Sequence, residues 1–169
     1  MPGFELIGEE ERKAVNELFD DGGVLFAHGF DSMRNDRYHV REFERKFADY
    51  LGVKYAQAVS SGTAALKISL IALGVRPGDE VITQSFTFIA TAEAIIDVGA
   101  KPVFVNINET LNMDPSELES AITDKTAVII PVHMLGVAAE QDKIHIIAKK
   151  YKIPVLDDAC ESLGAEWGN

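Results

Sequence analysis

Ser60-Ser61-Gly62-Thr63-Ala64-Ala65-Leu66 stands between a segment suited to a strand, residues 54–59, and a nearly all-apolar helical segment, residues 63–73. A strand that turns through a glycine directly into a helix opens an α/β unit. The alternation continues downstream. Segments rich in valine and isoleucine at 80–83, 102–105, 126–130 and 153–157 predict further strands, with helices between most of them at 88–98, 114–122 and 140–150. This pattern predicts an α/β fold with a mostly parallel sheet. The helix at 63–73 lacks a polar face, which predicts burial against that sheet.

Upstream, residues 8–19 predict a helix with Ala14, Val15, Leu18 and Phe19 on one side. Residues 24–38 are mixed and turn-rich. Residues 39–50 predict a second amphipathic helix carrying Val40, Phe43, Phe47 and Tyr50, and Gly52 stands where a C-terminal glycine belongs. The expected organisation is a helical N-terminal segment, 1–53, followed by the α/β region, 54–169.

Composition narrows the function. A net charge of −11 argues against nonspecific nucleic-acid binding, which needs clustered Lys and Arg, and against an anionic membrane surface. It leaves room for a small anionic ligand held by a local site. No apolar stretch approaches the ~18 residues of a membrane span, and Glu9, Glu10 and Glu11 replace the apolar core of a secretory signal. Cys160 is the single cysteine, so no intrachain disulfide forms, which fits a cytoplasmic location.

Four segments carry candidate chemistry. Ser61, Gly62 and Thr63 open a helix, and a helix N-terminus offers unpaired amides and partial positive charge to a phosphate. The alternative is a Ser/Thr cap on a tight turn. Asp157-Asp158 ends an otherwise apolar strand, at the end of the sheet where α/β proteins bind ligands. A carboxylate there can hold a proton on a heterocyclic nitrogen; the alternative is a helix cap. Phe88 in Thr87-Phe88-Ile89-Ala90-Thr91-Ala92 can stack on a flat ring or belong to the core. His133 in Pro131-Val132-His133-Met134-Leu135-Gly136 is read as a satisfied core residue rather than a reacting group. No cluster has metal-ligand spacing.

Taken in order, Ser61-Gly62-Thr63-Ala64-Ala65-Leu66, Pro77-Gly78-Asp79-Glu80-Val81-Ile82, Thr87-Phe88-Ile89-Ala90-Thr91-Ala92, Pro131-Val132-His133-Met134-Leu135-Gly136 and Asp158-Ala159-Cys160-Glu161-Ser162-Leu163-Gly164-Ala165 resemble the DegT/DnrJ/EryC1/StrS family of sugar aminotransferases. The resemblance implies the N-terminal part of a fold-type-I large domain, less than half of a typical member. The cofactor implied is pyridoxal 5'-phosphate, or pyridoxamine 5'-phosphate in the amino form. Ser61, Gly62 and Thr63 would bind its phosphate, Phe88 would stack on its ring, and Asp158 would pair with the ring nitrogen. Glu161 falls where many members carry a glutamine near the ring hydroxyl. An ionised glutamate cannot donate there as glutamine can, so Glu161 departs from the pattern.

Family members transfer an amino group, commonly from glutamate, to a keto group on a nucleotide-linked sugar, and act as homodimers. Some relatives replace the Schiff-base lysine by histidine and dehydrate instead. No lysine in this chain has the matching context, so no catalytic residue is assigned and the chain alone is expected to be inactive. Residues 24–38 would help shape the substrate and dimer surfaces. The family sheet runs 3-2-4-5-6-7-1, and this chain supplies strands 1 to 5. That leaves the strand at 54–59 without neighbours unless it pairs with 153–157. Competing readings are a non-catalytic α/β module that binds a phosphorylated ligand or a partner chain, and a two-chain enzyme whose partner carries the lysine.

Overall fold

The computed structural model describes residues 4–168, which form two compact units divided between Ala58 and Val59. The first unit holds α1 (Glu9–Asp20) and α2 (His39–Leu51), close to the predicted bounds. Glu9, Glu10 and Glu11 fill the first turn of α1, where negative charge meets the unpaired amides. The Glu11 carboxylate accepts from the Gly8 amide at 2.7 Å, which holds its carboxyl below the ordinary value. Gly52 ends α2 with φ of 65°, the left-handed conformation that a C-terminal glycine adopts without steric cost. On α2 only Ala48 is buried, and Phe43 and Phe47 stack with ring centroids 5.5 Å apart. The buried Arg34 gathers the turn-rich loop. Its guanidinium donates to the carbonyls of Gly29 at 2.5 Å, His28 at 3.3 Å and Phe26.

The second unit is an α/β sandwich. Strands β1 (Glu80–Gln84), β2 (Lys101–Val105) and β3 (Thr126–Ile130) pair in parallel in the order β2-β1-β3. Side chains on a strand alternate between faces, and two cores follow. Val81, Val128 and Ile130 pack with Leu66 and Leu70 of α3 (Gly62–Ala72) and with Ala94 and Ile95 of α4 (Ile89–Asp97). Ile82, Val105 and Ile129 pack with Leu118 of α5 (Pro115–Ala121) and with Ile144 and Ala148 of α6 (Gln141–Tyr151). All four predicted helices of this region are present. The expected burial of α3 against the sheet is observed: Leu66 and Leu70 face it, while Ile68 and Ile71 are exposed, because a helix lying on a sheet buries one face.

Two strand expectations are corrected. Residues 54–59 form no strand. A strand exists only as paired backbone, and here the Glu44 carboxylate takes the Ala58 amide at 2.8 Å and the Gln57 side-chain amide at 2.6 Å. Residues 153–157 run parallel to β3 through two isolated bridges, Ile129 with Val155 and Val132 with Asp158. The bonds Ile129 N to Pro154 O, Leu156 N to Ile129 O, Asp158 N to Pro131 O and His133 N to Asp158 O follow the regular parallel pattern. The missing rung is Pro131 to Leu156 O, since proline has no N–H to donate. This segment therefore flanks β3, and the expected neighbour order through the strand at 153–157 holds.

Gln84, fully buried at the end of β1, joins the loops that leave the sheet. Its amide nitrogen donates to the carbonyls of Phe86 (2.9 Å) and Leu111 (3.1 Å), and its oxygen accepts from the amides of Met113 (3.0 Å) and Val132 (3.1 Å). Replacing it with leucine strands four backbone groups, each at about 1–3 kcal/mol. Gln84→Leu is expected to lower unfolding free energy by at least about 3 kcal/mol, read from the urea midpoint. A loss below about 1 kcal/mol would show that these loops do not depend on Gln84.

Candidate functional site

The carboxyl ends of the strands bring the predicted residues of the second unit together. At the start of α3 the Ser61 hydroxyl accepts from the Ala64 amide at 3.1 Å, so Ser61 is a true N-cap. The amides of Gly62 and Thr63 have no partner among the described residues. They are two donors at a helix N-terminus, suited to an anion. A methyl group built on Gly62 would lie 3.9 Å from the Cys160 sulfur. The phosphate-type loop thus lies against the turn that follows Asp158.

Asp158 is 8% exposed, and both its oxygens are engaged. Oδ2 accepts from the Thr91 hydroxyl at 2.9 Å, and Oδ1 accepts from the Cys160 amide at 3.3 Å. Thr91 is itself buried on α4, and its hydroxyl lies 2.9 Å from that of Thr87. Because Thr91 gives its proton to the carboxylate, Thr87 donates to Thr91. Phe88 lies between these two threonines in sequence and caps α4 with backbone φ −67° and ψ 144°. Phe88 is 72% exposed and is not core. Glu161 accepts the Leu135 amide on Oε2 at 3.0 Å. Leu135 has a left-handed φ of 53°, so this bond supports an unusual backbone for a branched residue.

The two adjacent acids part company. Consecutive strand residues point to opposite faces, and Asp157 turns toward α6. It accepts from Gln141 Nε2 at 2.6 Å and lies 3.3 Å from His133 Nε2. Burial tends to raise its carboxyl, but hydrogen bonds from His133 and Gln141 outweigh burial and hold it below the ordinary value. His133 is buried, and its Nδ1 accepts from the Ala139 amide at 3.0 Å.

Sequence reasoning missed Thr91, Gln84 and Asn112 as organisers. Asn112, fully buried, accepts from the Met134 amide at 2.8 Å and donates to Val137 O at 3.1 Å, which ties down the loop that carries His133 and Leu135. Thr91 stands inside a quoted motif, three residues beyond Phe88; a polar residue among apolar ones on α4 is the signal that was there to read.

Residues 7–169 match the DegT/DnrJ/EryC1/StrS aminotransferase family. The chain belongs to this family. It is 52% identical over 129 residues to the UDP-2-acetamido-2-deoxy-3-oxo-D-glucuronate aminotransferase of Pseudomonas aeruginosa, a match covering 76% of this chain and 36% of the relative. Among solved structures, Bacillus subtilis NtdA with bound PMP superposes with a TM-score of 0.81 at 37% identity, covering 94% of this chain and 35% of that one. The 3-amino-5-hydroxybenzoic acid synthase superposes with a TM-score of 0.87 at 37% identity, covering 95% and 40%. The α/β arrangement is that of the fold-type-I aminotransferases, and the chain spans between a third and two-fifths of the length of these relatives. Among the described residues no helix is long and apolar enough to cross a membrane.

The depressed Asp157 carboxyl has a signed consequence. Its stabilising effect is present above the unfolded value of about 3.9 and is lost as pH falls through the lower folded value. Asp157→Asn is expected to flatten the acid limb of stability below about pH 4 and leave the neutral-pH slope unchanged. Urea midpoints measured from pH 2 to 7 check this, and an unaltered acid limb would contradict it.

Proposed function

We propose that this chain is the cofactor-binding part of a pyridoxal-phosphate-dependent aminotransferase acting on a nucleotide-linked keto sugar. One observation carries the reading: the free amides of Gly62 and Thr63 lie against the turn that holds the Asp158 carboxylate. The residues present fit the cofactor. Two unpaired amides and the Ser61 and Thr63 hydroxyls suit its phosphate, and the exposed Phe88 ring offers a stacking face. Asp158 has lone pairs left to hold a proton on the ring nitrogen. When bound, the cofactor supplies an electron-withdrawing ring that stabilises negative charge on an attached carbon.

The chain's own residues orient and charge that site. Thr91 and the Cys160 amide fix the Asp158 carboxylate, and the helix N-terminus favours the phosphate dianion. Glu161, anchored on Leu135 by one oxygen, presents the other as an acceptor. Kinship to the Pseudomonas enzyme supports a uridine-diphosphate sugar as substrate class, and the family resemblance carries glutamate as amino donor and a homodimer as the assembled form. The exposed, unpaired Cys160 fits a cytoplasmic setting.

The lysines favour a second reading. Lys67 is ion-paired with Asp97 at 2.8 Å, Lys101 with Glu80 at 3.3 Å, and Lys143 and Lys150 with glutamates at 2.5 Å. These four are engaged elsewhere, which supports a reading in which the chain by itself binds cofactor without turnover, as a non-catalytic module. An amino-transfer assay on this chain with pyridoxal phosphate is expected to show no rate above free cofactor. Measurable turnover overturns the inactivity and supports the enzyme reading outright.

Binding tests the site directly. Pyridoxal phosphate is expected to bind more tightly than pyridoxal, and Asp158→Ala is expected to weaken it roughly 10- to 100-fold, the worth of a charge-assisted hydrogen bond. Gly62→Ala meets only an ordinary contact with Cys160, so it should fold normally while reducing the preference for the phosphorylated form. Equal affinity for both forms, or indifference to Asp158→Ala, contradicts the assignment.

A further inference from the structure

The Asp157-Asp158 pair straddles the sheet edge, and His133 grips it from two sides. The His133 backbone amide donates to Asp158 O at 3.0 Å. Its ring is buried at 8% exposure and has its own geometry fixed. Nδ1 accepts from the Ala139 amide at 3.0 Å, so in the neutral ring the proton sits on Nε2. Nε2 lies 3.3 Å from Asp157 Oδ1 and 3.2 Å from Gln141 Nε2, which itself donates to the same oxygen at 2.6 Å. Asp158 lies one residue on, with its carboxylate directed the opposite way, to Thr91 and the Cys160 amide. Between the bridges on either side, Pro131 omits a backbone rung. At that gap the Asp157 carboxylate supplies a side-chain anchor in place of the missing backbone bond.

We propose that His133 is a positioning residue for Asp158: its imidazole, held by the Ala139 amide, clamps Asp157 and thereby fixes the neighbouring Asp158 carboxylate in its aim. The proposal rests on the reading of Asp158 as partner of the cofactor's ring nitrogen, and it adds a residue that touches neither cofactor nor substrate. His133 acts through Asp157, so loss of either end should have the same effect, and loss of both should add little.

The test uses three single variants, one double variant and two readouts. His133→Asn retains an acceptor for the Ala139 amide and removes the Nε2 donor. His133→Gln places an amide near the Nε2 position and should restore part of the clamp. Asp157→Ala removes the far end from a side chain 43% exposed, so it folds even where a buried change fails. The first readout needs no ligand: the Cys160 amide bonds the Asp158 carboxylate and reports its orientation through hydrogen exchange. Exchange at Cys160 is expected to quicken about tenfold in His133→Asn and in Asp157→Ala, with no further gain in the double variant, and to recover in part in His133→Gln. An unchanged Cys160 rate in Asp157→Ala, or fully additive effects, overturns the clamp.

The second readout compares pyridoxamine phosphate with its 1-deaza analogue, which has carbon in place of the ring nitrogen. Wild-type protein is expected to prefer the former about tenfold or more, and the clamp variants to lose at least about threefold of that preference while phosphate-dependent affinity stays. Equal losses for both ligands contradict a role directed at Asp158. Equal wild-type affinity for both removes the ring-nitrogen reading itself, and the Cys160 exchange rates then judge the clamp alone.

Discussion

The buried amide of Gln84 is the interaction on which the site end of the α/β unit depends. Four backbone groups from three segments converge on one side chain: the loop after β1, the loop before α5 and the start of the loop after β3. Backbone at the end of a parallel sheet loses its ladder partners and must find others or leave polar groups buried and unpaired. Gln84 meets all four needs with no donor or acceptor left over. Asn112 repeats the device one loop further along and reaches Met134 and Val137. Residues that present chemistry can then be small and polar, because others hold the backbone that carries them.

On that platform the division of labour follows strand alternation. Asp158 faces the layer of α3 and α4, where Gly62, Thr63 and Thr91 are. Asp157 faces the layer of α5 and α6, where His133 and Gln141 are. A doubled acid at a strand end thus reaches both sides of the sheet, one carboxylate toward Thr91 and the Cys160 amide and one toward Gln141 and His133.

Much of this was legible in the chain. Valine- and isoleucine-rich runs separated by helical periodicity gave every helix and the strands β1 to β3, because core burial enforces both periods. The turn at Ser61 to Thr63 was legible as a helix start because serine is a favoured N-cap, and the Ser61 hydroxyl does accept the Ala64 amide. Partner-dependent features were not legible. The segment at 54–59 has strand composition but no backbone partner, and composition carries no information about partners. The break opposite Pro131 depends on register, which a single strand does not encode. Thr91 went unassigned because its partner lies 67 positions away and no local pattern announces that meeting.

Asp158 carries one more consequence. Thr91 and the Cys160 amide already occupy its two oxygens in the folded chain, so its side-chain torsions are fixed before anything binds. The rotational entropy that a free carboxylate would surrender on capture, a fraction of a kcal/mol to about 1 kcal/mol for a short polar side chain, is lost during folding instead. On the proposed role, a proton-bearing ring nitrogen would meet a carboxylate already held in one orientation. Under that proposal the cost of orienting the carboxylate falls on the fold rather than on the moment of contact.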